Sequence, residues 1–300
     1  MLLGVNVAGL SLKHPVMNAS GILGSSPEHV DILVSYNVSA VVTKTITLQP
    51  REGYETPIII ELPSGGVLNA VGLANPGAEA VKSLVSRAKA LKAPLIASIG
   101  GRNEGEFINV AIAVDEAGVD AIELNLSCPH TKGYGIEIGV DPHNVYSVTK
   151  NVASITTKPI LAKLGLSDSI VKSCEKALSA GAKALTLINT VKAMFIDVYA
   201  AKPVLSNIFG GLSGPPIHPI AVRVVYEVYR ELKPEIVGCG GVSMWSDAAE
   251  LILAGAKAIQ VGTALMKGGE VVTHILKGLE EWLKIMNLKS IEEAVGLAQV

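Results

Sequence analysis

The chain has 300 residues, of which 49% are hydrophobic and only 4% aromatic, and its formal net charge is -2. Its 25 basic residues form no cluster, which argues against nucleic acid as the main partner because such binding needs concentrated lysine and arginine. No apolar run reaches the roughly 18 residues that predict a membrane span.

Short apolar runs alternate with amphipathic segments along the chain. The first 16 residues predict a hairpin rather than a signal peptide. Eight later runs predict buried strands, at Pro15–Ser20, Ala40–Thr45, Pro94–Gly100, Ala121–Cys128, Pro159–Gly165, Ala184–Thr190, Glu235–Gly241 and Ala258–Leu265. Apolar residues at three- and four-residue spacing predict helices between them, most clearly over 78–91, 106–118, 143–155, 167–181, 218–232 and 246–255.

Eight strands with intervening helices predict an α/β protein with a single (β/α)8 TIM barrel domain spanning residues 1–300. A doubly wound open sheet is the rival, but no GxGxxG motif follows the first strand. The segment Gln49–Asn75 predicts an inserted hairpin or sheet over the C-terminal mouth of the barrel. The polar, glycine-rich stretch Pro129–Asp141 predicts a mobile lid.

Functional groups of such barrels lie at the carboxyl ends of the strands. Here those ends carry lysines, amides, hydroxyls, glycines and a thiol but few carboxylates, which disfavours metal hydrolysis and paired-carboxylate chemistry. The glycines after the seventh and eighth strands predict a phosphate site, with plain tight turns as the alternative. Lys44 and Lys163 lie in apolar runs and predict cations aimed at a developing negative charge, with structural ion pairs as the alternative.

The three cysteines, Cys128, Cys174 and Cys239, lie far apart and show no CxxC spacing. We therefore expect no disulfide framework and no metal site, and a reducing cytoplasm fits. Cys174 and Cys239 are expected to be packing residues, whereas Cys128 ends the fourth strand, where a reactive group would lie.

Several separated motifs together resemble class 1 dihydroorotate dehydrogenases, from about Val5 to the C-terminus. They are KTITLQPREG, LNAVGLANPG, NLSCP, LAKLG, LINT, GGLSGPPIHP, GCGGV and VGTAL. Class 1 enzymes use a cysteine base, whereas class 2 enzymes use serine and carry an N-terminal extension, which we do not expect here. The motifs LNAVGLANPG, INTVKAMFIDV and GGLSGPPIHP resemble subclass 1B in particular.

The resemblance implies oxidation of (S)-dihydroorotate to orotate in pyrimidine biosynthesis. Cys128 would take the proton from C5, hydride would pass from C6 to N5 of FMN, and Lys163 would stabilise the reduced flavin. A homodimeric core would join an electron-transfer subunit, carrying FAD and a [2Fe–2S] cluster, in a heterotetramer that passes electrons to NAD.

The resemblance also implies contacts for individual residues. FMN would be bound by Ser20, Lys44, Thr45, Ser98, Asn125, Lys163, Ile188, Gly214, Gly240, Gly241, Gly262 and Thr263. Substrate would be bound by Lys44, Asn69, Ala70, Val71, Gly72, Leu73, Asn125, Asn189 and Thr190. Two positions depart from the family pattern, because Ser98 and His130 stand where asparagine is common.

Three other functions remain open from the sequence. Dihydropyrimidine dehydrogenases have a similar FMN barrel and share the SCPH motif found here, although LNAVGLANPG is typical of the dihydroorotate-type substrate loop. A fumarate-linked enzyme of subclass 1A is the second alternative. A non-catalytic phosphate-binding barrel is the third.

Overall fold

The structure, a computed structural model, describes residues 2–63, 65–127 and 139–300. Its centre is a parallel sheet of eight strands in the order β1-β8-β7-β6-β5-β4-β3-β2. The strands are β1 (Val16–Asn18), β2 (Val41–Val42), β3 (Leu95–Ile99), β4 (Ala121–Asn125), β5 (Ile160–Leu164), β6 (Ala184–Leu187), β7 (Ile236–Cys239) and β8 (Ala258–Val261). All eight lie within the predicted strands, which confirms the predicted pattern.

The sheet closes between β1 and β2 through a side chain. The amide of Asn18 donates from Nδ2 to the carbonyl of Val42 at 2.7 Å and accepts from the N–H of Val42 at 2.9 Å. Below this point, the N–H and the hydroxyl of Ser39 both donate to the carbonyl of Val16 at 2.9 Å. The two edge strands thus meet, and the predicted (β/α)8 barrel is confirmed.

One helix follows each barrel strand in the described part of the chain. The helices are α1 (Pro27–Ser35), α2 (Val81–Ala90), α3 (Glu104–Ala117), α4 (Pro142–Ala153), α5 (Ile170–Ser179), α6 (His218–Leu232), α7 (Trp245–Ala254) and α8 (Glu270–Ile285). Local signals set their ends: the Asn103 side chain accepts from the N–H of Glu106 where α3 begins, and Gly118 ends it at φ 84°. Six of these helices match the clearest predicted segments.

The core is aliphatic, as the low aromatic content predicts. Every residue of β3, β4 and β5 is buried, because the helices cover the outer face of the barrel and side chains fill the inner face. Burial of each large aliphatic side chain stabilises the fold by roughly 1.5–3 kcal/mol. Cys174, on α5, is fully buried in this core, which confirms its assignment as a packing residue.

A second sheet lies over the C-terminal mouth. Its four antiparallel strands lie in the order Val191–Ala193, Gly210–Ser213, Val67–Asn69 and Ile59–Glu61. The last two form the predicted insertion. The first two come from the segment after β6, where the sequence pattern predicts no strand. They are only three and four residues long, and one begins with two glycines. We call this sheet the roof.

Smaller elements complete the chain. The N-terminal hairpin is confirmed, with Val5–Val7 antiparallel to Leu10–Leu12, and the N–H of Ala8 donates to the carboxylate of Glu235 just before β7. A hairpin of Ile196–Asp197 and Lys202–Pro203 extends from the segment beside the roof. Short 3-10 helices lie at Ala78–Ala80, Pro215–Ile217, Thr263–Lys267 and Ile291–Ala294. Among the described helices, none is long and apolar enough to cross a membrane.

Candidate active site

A cavity of about 680 Å³ lies between the carboxyl ends of the barrel strands and the roof. Most of the predicted site residues line it. They are Ser20, Lys44, Thr45, Asn69, Val71, Gly72, Leu73, Asn125, Lys163, Ile188, Asn189, Thr190, Gly214, Gly240, Gly241, Gly262 and Thr263. Residues from all parts of the chain therefore converge on one space, as expected for a barrel of this class.

Two predicted site residues do not line the cavity, and a third lies outside the described residues. Ser98 is fully buried behind the wall, with its hydroxyl 3.1 Å from Oγ1 of Thr45, and Ala70 packs with Leu68 inside the roof. Neither lines the cavity, so each would act on a ligand only through its neighbours. Cys128 lies outside the described residues, as do His130 and most of the predicted lid.

Hydroxyl and amide groups form a connected network on one wall. The Thr45 hydroxyl lies 3.1 Å from the Ser20 hydroxyl and accepts from Nδ2 of Asn125 at 2.9 Å. Nδ2 of Asn189 lies 3.2 Å from Oδ1 of Asn125 and 3.2 Å from the carbonyl of Ser127. These contacts fix which end of the Asn125 amide is the donor. The network holds two amides and two hydroxyls in place to recognise a planar polar ligand.

A buried polar group forms the floor. Nζ of Lys163 donates to Oε1 of Gln260 at 2.8 Å and lies 3.6 Å from Oε1 of Glu123. The other carboxylate oxygen of Glu123 accepts from Nε2 of Gln260 at 2.6 Å and from the Thr186 hydroxyl at 3.1 Å. Lys163 is the member of this group that reaches the cavity. The structural ion pair that the sequence left as the alternative is therefore present, and the same lysine also lines the cavity.

The second lysine differs from the first. Lys44 lines the cavity, and burial lowers its pKa. It forms no ion pair with any other residue in the described ranges. A partly buried ammonium group without a counter-ion attracts an anion, so Lys44 is suited to bind a ligand carboxylate.

The loops after β7 and β8 have the geometry of an anion site. Gly240 and Gly241 have φ of 134° and 72°, and a Cβ on Gly241 would lie 2.6 Å from Cβ of His218. Within the described part of the chain, the N–H groups of Gly241 and Gly262 have no hydrogen-bond acceptor. The ring of His218 donates from Nδ1 to the carbonyl of Gly240 at 2.9 Å, which fixes the first loop from behind. Open N–H groups on glycine loops at this position suit a phosphate.

The loop 69–73 forms the opposite wall, and the side chain of Asn75, which is not among the predicted site residues, holds it in place. Asn75 donates from Nδ2 to the carbonyl of Leu73 at 2.7 Å and to the hydroxyl of Thr47 at 2.8 Å. Its Oδ1 accepts from the N–H groups of Thr47 and Gly77. Leu73 has φ of 57°, a conformation that side chains disfavour. Asn75 therefore stabilises a strained wall of the cavity.

Cys239 was expected to be a packing residue, and it is 9% exposed in the core. It ends β7 and also lines the cavity, so its thiol forms part of the wall. Burial raises its pKa, and the Lys163 ammonium only partly opposes that effect. A thiol with a raised pKa is a poor nucleophile, so Cys239 contributes shape rather than reactivity.

The described residues contain no group of three or more His, Cys, Asp or Glu side chains placed to hold a metal ion. The cavity thus offers hydrogen-bonding side chains, the lysines Lys44 and Lys163, and glycine loops suited to bind a phosphate.

Comparison with known proteins identifies the family. The family model of dihydroorotate dehydrogenase matches residues 2–283. The chain belongs to the dihydroorotate dehydrogenase family. The resemblance found in the sequence motifs is therefore confirmed, and it extends over nearly the whole chain.

Individual relatives are similar over their full length. An Aeropyrum pernix protein, provisionally named dihydroorotate dehydrogenase A (fumarate), is 50% identical over 99% of this chain and 97% of its own. The catalytic subunit of dihydroorotate dehydrogenase B (NAD(+)) from Thermococcus kodakarensis is 46% identical over 99% of this chain and 98% of its own. The Pyrococcus abyssi protein of the same name is 45% identical over 99% of both chains. The chain is thus similar to family members of the class 1B type.

Proposed function

We propose that this chain oxidises (S)-dihydroorotate to orotate, with FMN bound in the cavity, as a step of pyrimidine biosynthesis. The observation that carries the proposal is the convergence of three parts on one cavity within a chain of this family. These parts are the open glycine loops, the Lys163 floor and the loop 69–73 opposite them.

The residues present fit FMN. Its phosphate suits the N–H groups of Gly241 and Gly262, where the glycines leave no Cβ in the way. Its ring suits the wall of Ser20, Thr45 and Asn125, whose hydroxyl and amide groups are already aligned by hydrogen bonds. When bound, FMN supplies the acceptor for the two electrons that leave the substrate.

The substrate is an anion whose ring contains amide groups, and the chain offers groups for each part. Lys44 suits the carboxylate because it is partly buried and has no counter-ion among the described residues. Asn125 and Asn189 suit the ring amides, since their side chains line the cavity and orient each other. The loop 69–73 excludes water from the opposite side, with its conformation fixed by Asn75.

We assign the base to Cys128, which would take the proton from C5 of the substrate. The assignment is supported by the NLSCP motif and by the position of Cys128 in the sequence, directly after Ser127. The carbonyl of Ser127 accepts a hydrogen bond from Asn189, a predicted substrate ligand. Lys163 provides positive charge at the floor, which favours the electron-rich state of a ring bound above it.

For the electron acceptor, we propose NAD, reached through a partner subunit that carries FAD and a [2Fe–2S] cluster. Support comes from the Thermococcus and Pyrococcus relatives, which are named as NAD(+)-linked catalytic subunits. We further propose a homodimeric core within a cytoplasmic heterotetramer. Fumarate is the second candidate acceptor, because the 50% identical Aeropyrum protein bears that name.

The test is anaerobic titration of the purified, FMN-loaded chain. Dihydroorotate should bleach the flavin absorbance stoichiometrically, and Cys128→Ala should slow this bleaching by at least a hundredfold, the usual size of a general-base contribution. Bleaching by dihydrouracil but not by dihydroorotate would support the dihydropyrimidine alternative. A chain that binds phosphate but never FMN would support the non-catalytic barrel.

Reoxidation of the reduced chain separates the acceptors. Fumarate should leave the reduced flavin unchanged, whereas NAD should reoxidise it only in the presence of the electron-transfer subunit. Fast reoxidation by fumarate alone would overturn the NAD assignment and favour the fumarate-linked enzyme. Sedimentation of the isolated chain and of the mixture tests the proposed dimer and heterotetramer.

A further inference from the structure

Lys163 is the one residue of the polar group on the cavity floor that lines the cavity, but the group also contains the carboxylate of Glu123. We call Glu123, Lys163, Thr186 and Gln260 the buried quartet. Their exposures are 0%, 3%, 0% and 1%. They come from four different barrel strands, β4, β5, β6 and β8, so the closed barrel brings them together. Burying a carboxylate costs free energy unless it gains partners, so its presence beneath a ligand cavity calls for a physical reason.

Gln260 links the two charged members in one orientation. Its Oε1 accepts from Lys163 at 2.8 Å, and its Nε2 donates to Glu123 at 2.6 Å. The reversed amide would place an NH₂ group against the ammonium and an oxygen against the carboxylate, and both contacts would be repulsive. The Gln260 amide therefore donates to the carboxylate of Glu123 and accepts from Lys163. These two hydrogen bonds fix the position of Nζ.

Only one of the two carboxylate oxygens of Glu123 accepts hydrogen bonds from described residues. Oε2 accepts from Gln260 and Thr186, but Oε1 has no hydrogen-bond partner among the described residues. Oε1 instead lies 3.6 Å from Nζ of Lys163, too far for a strong hydrogen bond but close enough for a large electrostatic interaction inside a protein. The negative charge thus acts on Lys163 directly through Oε1 and through the amide of Gln260.

We propose that Glu123 and Gln260 are positioning residues that set the charge which the floor presents to the bound flavin, and so hold its reduction potential down. The proposal rests on the proposed function, because it requires FMN above Lys163. An isolated lysine would favour the reduced, electron-rich ring strongly. With Glu123 beside it the pair is neutral overall, and the flavin gives up its electrons more readily to the next acceptor.

The test is the reduction potential of bound FMN, measured by equilibration with a reference dye in the reconstituted holoprotein. Glu123→Gln should shift the reduction equilibrium towards reduced flavin by tenfold or more, about 30 mV for a two-electron couple. Gln260→Met should shift it in the same direction by less, because it removes the amide through which Glu123 also acts on Lys163 but leaves the direct 3.6 Å contact. The matched control is Glu235→Gln, which removes a carboxylate paired with Lys257 at 2.8 Å near the start of β7, away from the cavity. This control should leave the potential unchanged.

Two outcomes would overturn the proposal: an unchanged potential in Glu123→Gln, or a shift towards oxidised flavin in either Glu123→Gln or Gln260→Met. The Gln260→Met variant keeps the test available if Glu123→Gln does not fold. Failure of the proposed function is recognised separately, because a wild-type chain that binds no FMN has no potential to measure. A chain that binds FMN and shows no shift contradicts only the role of the buried quartet.

Discussion

The side chain of Asn18 forms hydrogen bonds with both the N–H and the carbonyl of Val42. It thereby joins the first and second barrel strands, which do not pair through a ladder of backbone hydrogen bonds. Asn18→Ala should therefore lower the free energy of unfolding by roughly 3 kcal/mol, because a buried N–H and a buried carbonyl both lose their partner. Urea denaturation measures the change. Ser39→Ala is the control, and it should cost about 1 kcal/mol, since the backbone N–H of Ser39 still reaches the Val16 carbonyl. An equal loss in both variants would contradict the closing role of Asn18.

A histidine at the other end of the barrel should make the fold sensitive to acid. Burial lowers the pKa of His14 to about 4, and its ring accepts from the N–H of Val16 and contacts the carbonyl of Asn37, as a neutral ring does. The unfolded chain takes up this proton near pH 6.5, whereas the folded chain does not. Stability is therefore full above pH 6.5 and falls as the pH drops towards 4, by about 3 kcal/mol in total.

Urea denaturation at pH 7.5 and pH 5 tests this dependence. His14→Gln should reduce the difference between the two pH values, while His143→Gln, at an exposed position on α4, should leave it as in the wild type. An unchanged difference in His14→Gln would show that other groups cause the acid sensitivity.

Gly241→Ala should weaken FMN binding by at least tenfold. The new Cβ would lie 2.6 Å from Cβ of His218 and 2.8 Å from the carbonyl oxygen of Gly214, and the positive φ adds strain of about 1–2 kcal/mol. Fluorescence titration of the flavin-free chain gives the dissociation constant. Gly9→Ala is the matched control, because Gly9 has a similar φ of 79° with no atom within 4 Å and lies in the N-terminal hairpin. If Gly9→Ala weakened FMN binding as much, the loop after β7 would not be the phosphate site.

Asn75→Ala should raise the KM for dihydroorotate by tenfold or more while FMN remains bound. The substitution removes four hydrogen bonds that hold Leu73 and its neighbours in place. Steady-state kinetics with flavin content as the second measurement would show the effect. Thr47→Val removes one of these four hydrogen bonds, together with the bond from the Thr47 hydroxyl to the carbonyl of Gln49, and its effect should be smaller. A lower kcat with an unchanged KM would contradict a role in substrate binding.

Lys44 should make the binding of orotate weaken as the pH rises. Burial lowers the pKa of this lysine, so it loses its charge at a lower pH than an exposed lysine does. The cation is present below that pKa and lost above it, and attraction for the substrate carboxylate follows the same course. Orotate titrations across alkaline pH should show the loss in the wild type, and Lys44→Met should bind weakly at every pH. Lys13→Met, near the N-terminal hairpin, should behave as the wild type.

The sequence allowed the barrel and most of the cavity to be predicted because both depend on local signals. Apolar runs with polar or glycine residues at their carboxyl ends marked Lys163, Asn189 and Gly241 as cavity residues, and all three line the cavity. The contacts that the prediction missed are long-range. Gln260 and Glu123 are 137 positions apart and lie inside apolar strands, where a polar residue gives no sign of its partner.

Exposure to the cavity was also difficult to predict at single positions. Ser98 was assigned to FMN, yet its side chain lies one layer behind Thr45. Cys239 was assigned to packing, yet it lines the wall. In both cases, successive side chains of a short strand point to opposite faces of the sheet. The composition of a twisted barrel strand does not show which of them points into the cavity.

The roof is built from two parts of the chain that are far apart in sequence. Asn69, from the insertion before α2, pairs with Gly211, from the segment after β6, and its side chain donates to the carbonyl of the same residue at 3.2 Å. A chimera that receives only one of these segments from a distant relative would pair two roof strands from different proteins over the cavity, with side chains that do not fit each other. Exchange of substrate preference between family members therefore requires both segments to be transplanted as one unit.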